Sequence, residues 1–180
     1  MKKLLIIIPL FITLTAFPQR LKKFKPAENI VLKLPADFVP MTPQEQQQRY
    51  QSPRLPLAMY TDAQHVVDFG INRSYALWDE KDIELMRKFY EASILELFDK
   101  VRFLNKGIAN INGRDYAFFE FESIMYAENK SQRNISKYTY IMYTVAGGTT
   151  YVFNFTCPVR LRNQWQGTAR KIMQTIKIKA

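Results

Sequence analysis

The chain has 180 residues, a formal net charge of +10 and an aromatic content of 14%. This length is enough for one domain with a hydrophobic core, and the aromatic content excludes an intrinsically disordered chain. A basic surface favours acidic partners, anionic lipid head groups or nucleic acid, but it does not by itself select a function.

The first residues have the pattern of an export signal. Two lysines precede an apolar run over residues 4–14, and small residues follow it. The run is too short to span a bilayer, which needs about 20 residues. We therefore predict a signal peptide over residues 1–19, removed after Ala16 or Gln19, and a periplasmic or extracellular location. Its removal deletes two lysines and no acids, so the formal charge falls from +10 to +8.

The segment after the signal contains a leader and the first folded elements. Residues 20–27 carry four charges and a proline, which predicts a mobile basic leader. Residues 29–34 alternate in hydrophobicity and are predicted to form a strand. Thr42 and Glu45 have the spacing of a capping box, which predicts a short helix.

The middle of the chain combines strands with one long helix. Residues 57–61 and 65–72 are predicted to form a hairpin. Apolar residues at helical spacing predict a helix from Glu80 to Val101, with Asp79 as its cap. A strand is predicted next, over residues 102–110.

The second half of the chain is rich in aromatic strands. Asn112-Gly113 predicts a tight turn that leads into a long strand over residues 116–126. The segment from Tyr138 to Thr156 is predicted to form two strands around the turn Gly147-Gly148. An amphipathic helix is predicted to begin near Arg162.

This order of elements predicts the fold class. Strands joined by tight turns indicate an antiparallel sheet, and each long amphipathic helix needs a sheet face to cover. We therefore predict an α+β fold, a single domain over residues 28–180 in which a central antiparallel β-sheet is flanked by helices on both faces.

Cys157 is the only cysteine, so a disulfide within the chain is impossible. The thiol is either buried or paired with a second chain. We favour burial because Cys157 continues the apolar face of Tyr151, Phe153 and Phe155. No cysteine lies near the predicted cleavage site, which argues against a bacterial lipoprotein.

Three segments carry a family resemblance: Leu34-Pro35-Ala36-Asp37-Phe38, Ile111-Asn112-Gly113, and Tyr151 to Pro158 with Trp165 and residues 174–177 behind it. In order and spacing they resemble the PsbP-like superfamily, which includes the bacterial DcrB-type proteins and the Ran-binding Mog protein. The resemblance implies a central antiparallel sheet with helices on both sides and a noncatalytic domain that binds other proteins. It assigns no functional residue to this chain.

The residue types argue against most catalytic and metal sites. His65 is the only histidine and Cys157 the only cysteine, which is too few for a usual zinc site. No Gly-x-Ser-x-Gly motif accompanies the histidine. We expect no cofactor, no metal and, for an exported protein, no nucleic-acid partner.

Glu120 and Glu122 share one face of a predicted strand. Two carboxylates can perform acid–base chemistry when their surroundings separate their pKa values. An arginine-paired or solvated strand face explains the same pattern, and we favour that interpretation.

The sequence therefore favours a noncatalytic, extracytoplasmic module that binds an envelope protein through a sheet edge or a basic helix face. Arg162, Arg170 and Lys171 are the candidates for the contacts. Two alternatives stay open. One is a carrier that holds a small apolar ligand or lipid between the sheet and the long helix, and the other is a hydrolase that uses Glu120 and Glu122. We expect no transmembrane segment in the mature chain.

Overall fold

The computed structural model describes residues 19–50, 55–74, 76–127, 129 and 133–179. Residues 1–18, which contain nearly all of the predicted signal peptide, lie outside this part. The described strands are β1 (Leu21–Ala27), β2 (Ile30–Pro35), β3 (Val39–Pro40), β4 (Ala58–Thr61), β5 (Asp68–Ser74), β6 (Lys100–Ile111), β7 (Arg114–Met125), β8 (Ile135–Ala146), β9 (Thr149–Pro158) and β10 (Lys177–Ile178). The described helices are α1 (Pro43–Tyr50), α2 (Ile83–Leu97) and α3 (Arg162–Gln174).

The strands form two antiparallel sheets. The large sheet has the order β3-β4-β5-β9-β8-β7-β6, and the small sheet has the order β1-β2-β10. Helix α2 packs on one face of the large sheet, while α3 and the small sheet pack on the other. The predicted α+β fold with helices on both faces of an antiparallel sheet is confirmed.

Alternation along the strands creates the two faces of the large sheet. In β7, Ala117, Phe119 and Phe121 belong to the core under α2, whereas Tyr116 belongs to the core under α3. Successive side chains of a strand point to opposite faces, so one aromatic strand supplies both cores. Trp165 of α3 is buried in the core under α3.

Local signals explain where helices begin. The Oγ1 atom of Thr42 accepts a hydrogen bond from Glu45 N at 3.2 Å, and Glu45 Oε2 accepts one from Thr42 N at 2.7 Å. This reciprocal pair is the predicted capping box of α1. The long helix is shorter than predicted, because α2 ends at Leu97 and Val101 lies in β6.

The two predicted glycine turns have left-handed backbone conformations. Gly147 and Gly148 have φ of 54° and 70°, and Asn112 and Gly113 have φ of 53° and 80°. Two-residue hairpin turns of this kind match the twist of the strands they join. His65 also has a positive φ, 57°, and lies in the turn before β5 rather than in the strand predicted from residue 65.

The segment predicted as a mobile leader differs in the structure. Leu21–Ala27 forms β1, which pairs with β2 in antiparallel register. Phe24 faces inward opposite Leu32 and packs edge-on against Tyr60, with ring centroids 5.3 Å apart. Two apolar side chains at the correct spacing therefore order a segment whose lysines suggested a solvated tail.

Candidate binding site

A cleft of about 260 Å³ lies between the C-terminal end of α2 and the end of α1, on one face of the large sheet. We call it the α2 cleft. Ile94 and Leu97 of α2 form one wall, and Tyr50, the last residue of α1, lines the opposite side. The sheet forms its floor because α1 and α2 leave the middle strands uncovered there.

The rim of the α2 cleft is apolar and exposed. Leu97, Met125 and Ile135 line it with exposed fractions of 66%, 43% and 52%. Single exposed apolar side chains are common, but a cluster around a concave surface is typical of an interaction site.

The floor of the α2 cleft provides polar groups. Thr139, Thr156 and Asn154 lie beside apolar Ile141. Asn154 Oδ1 is buried and accepts no hydrogen bond from the described residues. Because buried polar atoms normally have partners, this unpaired oxygen is a candidate acceptor at the floor of the cleft.

Lys137 is the charged residue that lines the α2 cleft in the described part of the chain. It lies in β8, and its side chain is exposed. The cleft therefore combines an apolar rim with one positive charge, which suits an apolar group that has an acidic neighbour.

A second cleft of about 310 Å³, the α1 cleft, lies beside the first on the same sheet face. Tyr50 and Asn154 line both clefts and mark the boundary between them. Met59 and Gly70 line the α1 cleft from β4 and β5.

The Tyr50 side chain is held in place by Asp68, a buried carboxylate of β5. Tyr50 Oη donates to Asp68 Oδ2, which also accepts from Arg49 Nη2 at 2.6 Å, and Thr61 Oγ1 donates to Asp68 Oδ1 at 2.8 Å. Burial, together with the Asp68 charge, raises the pKa of Tyr50 above its ordinary value. The neutral phenol therefore stays a donor, and α1 is fixed against β5.

The structure places the three predicted contact residues on α3. Arg170 pairs with Glu120 at 2.9 Å, and Arg162 pairs with Glu122 at 2.6 Å. Lys171 is exposed. Two of the three cations therefore hold α3 on the large sheet, so they are less available to a partner than the sequence suggested.

Glu120 is the centre of a buried hydrogen-bond network. It is 1% exposed, and it accepts hydrogen bonds from Tyr138 Oη at 2.9 Å, Gln166 Nε2 at 2.6 Å and the Arg170 guanidinium. Burial, with the charge of Glu120, raises the pKa of Tyr138 above its ordinary value. The carboxylate is saturated with donors, which is the arginine-paired arrangement favoured from the sequence.

Glu122 is paired on both sides. Arg102 of β6 donates to it from Nη2 at 2.5 Å, and Arg162 donates from Nη1 at 2.6 Å. Glu120 and Glu122 therefore each bind a guanidinium, and the structure gives the predicted carboxylate pair a role in joining α3 to the sheet.

The remaining predicted residues lie apart from the clefts. His65 Nδ1 is 3.5 Å from Glu45 Oε1 at the surface, and Cys157 is 1% exposed in the core under α3. The described residues contain no group of three or more His, Cys, Asp or Glu side chains that could hold a metal ion. Among them, no helix has the length and apolar character required to cross a membrane.

The arrangement of helices and strands matches several solved structures. Cyanobacterial PsbP (CyanoP) from Synechocystis sp. PCC 6803 superposes with a TM-score of 0.61 at 9% identity, over 88% of this chain and 92% of that one. The Ran-binding protein Mog1p from Saccharomyces cerevisiae superposes with a TM-score of 0.59 at 9% identity, over 89% of this chain and 96% of that one. The chain has the PsbP-like fold.

A third structure with the PsbP-like fold is PA94 from Pseudomonas aeruginosa, a protein of unknown function. It gives a TM-score of 0.52 at 10% identity, over 90% of this chain and 98% of that one. No family model matches the sequence, and no curated protein matches it. At this level of identity the comparisons show the fold alone.

The sequence suggested an apolar pocket between the sheet and the long helix, but it did not identify the residues that line the α2 cleft. Its lining residues come from α1, α2 and several strands, so the cleft exists only through the relative placement of these elements. One signal was present, since Leu97 continues the apolar face of the long helix at the point where the helix ends.

Proposed function

We propose that the protein is a noncatalytic binding module that works outside the cytoplasm and holds an apolar segment of a partner protein in the α2 cleft. The observation that carries this proposal is the ring of exposed apolar side chains, Leu97, Met125 and Ile135, around a preformed cleft. Apolar anchors that fill a pocket supply most of the affinity in protein interfaces.

The size of the α2 cleft favours a protein segment over a small molecule. Small-molecule sites usually have volumes of about 300 to 1,000 Å³, whereas the α2 cleft has about 260 Å³. It suits one or two apolar side chains, and the exposed rim provides contact area around them. Lys137 favours a segment with a neighbouring acidic residue, and Asn154 Oδ1 provides an acceptor for a backbone N–H.

Two further observations support the proposal. Mog1p, whose fold this chain shares, is a Ran-binding protein, so the fold is compatible with protein recognition. Glu120 and Glu122 are occupied by guanidinium groups, which disfavours the hydrolase hypothesis. The location outside the cytoplasm rests on the predicted signal peptide, and N-terminal sequencing of the purified protein tests it.

The experiment compares two substitutions on the same helix. Leu97→Glu places a charge on the cleft rim, while Leu85→Glu places the same charge at an equally exposed position away from both clefts, where Leu85 is 59% exposed. Tagged proteins are used for pull-downs from the native envelope fraction, with quantitative mass spectrometry. We expect a protein that binds to wild type and Leu85→Glu and is lost with Leu97→Glu. Equal recovery with both variants would exclude the cleft as the docking site.

A small apolar ligand is the second candidate occupant. The observation in its favour is that the α1 and α2 clefts adjoin at Tyr50, and together they fall within the size range of ligand sites. Tyr50→Ala would remove the side chain that separates the clefts, while the Arg49–Asp68 ion pair would still hold α1 against β5. A carrier would then bind a fluorescent fatty acid more tightly, or with altered stoichiometry, whereas a protein-docking cleft would bind the probe weakly before and after the substitution.

A further inference from the structure

The outer face of the small sheet is strongly basic. Strands β1, β2 and β10 contain five lysines and no aspartate or glutamate. Because the inward positions of β2 are filled by buried Ile30, Leu32 and Leu34, the residues between them face outward.

The strand register gathers lysines on this outward side. Lys23 lies directly opposite Lys33, and Lys177 lies opposite Val31, two residues away from Lys33. Lys179 continues the alternation of β10, and its backbone N donates to Asn29 O at 2.7 Å. All four lysines are exposed. We call Lys23, Lys33, Lys177 and Lys179 the lysine face.

The charges of the lysine face are uncompensated. None of the ion pairs formed by the described residues includes one of its four members. Elsewhere on the surface, cations such as Arg87, Arg102 and Arg114 pair with carboxylates. Like charges directly opposite in a sheet are destabilising. An external anion would therefore reduce the repulsion between Lys23 and Lys33.

We propose that the lysine face docks the protein on an anionic phospholipid membrane. The face is formed by a short sheet rather than a groove, and it presents lysines, which act as hydrated point charges and need no shaped partner. Clusters of about four to eight basic residues suffice to attract proteins to anionic bilayers. The apolar run over residues 4–14 precedes β1 by a few residues, so the first strand of this sheet follows directly after the segment predicted to engage the membrane during export.

The position of the lysine face is compatible with the proposed function. The small sheet packs on the face of the large sheet that carries α3, while the α2 cleft opens on the other face. A protein that rests on a bilayer through the lysine face therefore presents the cleft away from the lipid, where a partner protein can reach it.

Vesicle sedimentation tests the proposal. The protein, purified as the host processes it, is mixed with vesicles of phosphatidylcholine alone or of phosphatidylcholine and phosphatidylglycerol. We expect sedimentation only with the anionic vesicles, and we expect it to weaken at high ionic strength because surface charges are screened. Any apolar contribution of the N-terminal segment would appear equally with both vesicle types.

Two variants that each remove two positive charges distinguish the effect of the lysine face on vesicle binding from the effect of net charge. Lys23→Gln/Lys33→Gln removes two charges from the lysine face, and Lys81→Gln/Lys88→Gln removes two exposed charges near or on α2. Each basic residue near an anionic surface contributes a factor of about five in binding, so the first variant should bind about 25-fold more weakly. The second should bind like wild type, and circular dichroism checks that both are folded.

Three outcomes would overturn the proposal. An equal loss of vesicle binding in the two double variants would mean that binding depends on net charge alone. Equal sedimentation with neutral and anionic vesicles would mean that the lysines are not involved. Absence of sedimentation together with binding of a polyglutamate peptide that requires Lys23 and Lys33 would assign the face to an acidic protein.

Discussion

Arg170 on α3 lies over Glu120 of β7, and its Nε and Nη2 atoms donate to Glu120 Oε2 at 3.1 and 2.9 Å. The two residues are 50 positions apart, and the carboxylate is 1% exposed while the Arg170 side chain is 49% exposed. The hydrogen bonds to Glu120 raise the pKa of Arg170. This pair fixes α3 on the sheet, so a basic helix face that suggested partner binding contributes to the stability of the fold.

The Arg170–Glu120 pair predicts that substitutions of the adjacent residues Arg170 and Lys171 differ in their effect on the free energy of unfolding. Arg170→Ala leaves a buried carboxylate with fewer donors and should lower the free energy of unfolding by about 2 kcal/mol. Lys171→Ala removes a neighbouring exposed cation and should change it by less than about 0.5 kcal/mol. Urea denaturation measures both. Equal effects would mean that the ion pair does not fasten α3.

Strand β1 predicts a stabilising role for the basic segment that follows the signal. Phe24→Ala removes the ring that packs on Tyr60 and should cost about 2 kcal/mol, less than a fully buried phenylalanine would. Lys25→Ala in the same strand is the control and should be close to neutral. A mobile leader would instead make both substitutions neutral in denaturant unfolding.

The burial of Cys157 predicts an unreactive thiol. The side chain is 1% exposed, and burial, with the charge of Asp62, raises the pKa of Cys157 to about 12. Since the thiolate is the reactive form, a thiol reagent should label the native protein slowly and label it fully in denaturant. Rapid labelling of the native protein, or dimers that reductant dissociates, would show that Cys157 is accessible.

Buried tyrosines predict a loss of stability in alkali. Burial raises the pKa of both Tyr116 and Tyr140 to about 12 from an ordinary value of 10.0, and the Cys157 pKa is raised similarly. Between these values the unfolded chain has released protons that the folded chain still holds. The free energy of unfolding therefore falls as pH rises from the ordinary pKa values toward about 12.

Urea titrations at about pH 8 and about pH 10.5 measure this effect, which should be reduced in a Tyr140→Phe variant. A free energy of unfolding that is unchanged between the two pH values would show that these side chains ionise as easily in the folded protein as in the unfolded chain.

Local chemistry made much of the fold predictable from the sequence. Turns such as Asn112-Gly113 need residues that tolerate positive φ, and the Thr42–Glu45 capping box marks a helix start within four residues. The turn Asn112-Gly113 and the long strand that follows it were likewise predicted. These features depend on neighbours in the chain, so the sequence displays them directly.

The sequence predictions were wrong where contacts between residues far apart in the chain determine the structure. Val101 continues the apolar spacing of α2, yet β6 begins at Lys100 because pairing with β7 fixes Val101 in an extended conformation. Leu21 and Phe24 are surrounded by lysines in the sequence, and it is the pairing with β2 that orders them. The α2 cleft and the lysine face combine residues from separate elements, so neither was visible as a motif.

Site-specific photo-crosslinking tests the central claim most directly. A photoreactive amino acid replaces Leu97 on the rim of the α2 cleft or Leu85 on the same helix outside it, and the protein is irradiated in intact cells. We predict a crosslinked protein at Leu97 but not at Leu85, attached through a segment that has an apolar side chain beside an acidic one. Equal crosslinking at both positions, or crosslinks at Leu97 to lipid alone, would contradict the assignment of the α2 cleft as a protein-docking site.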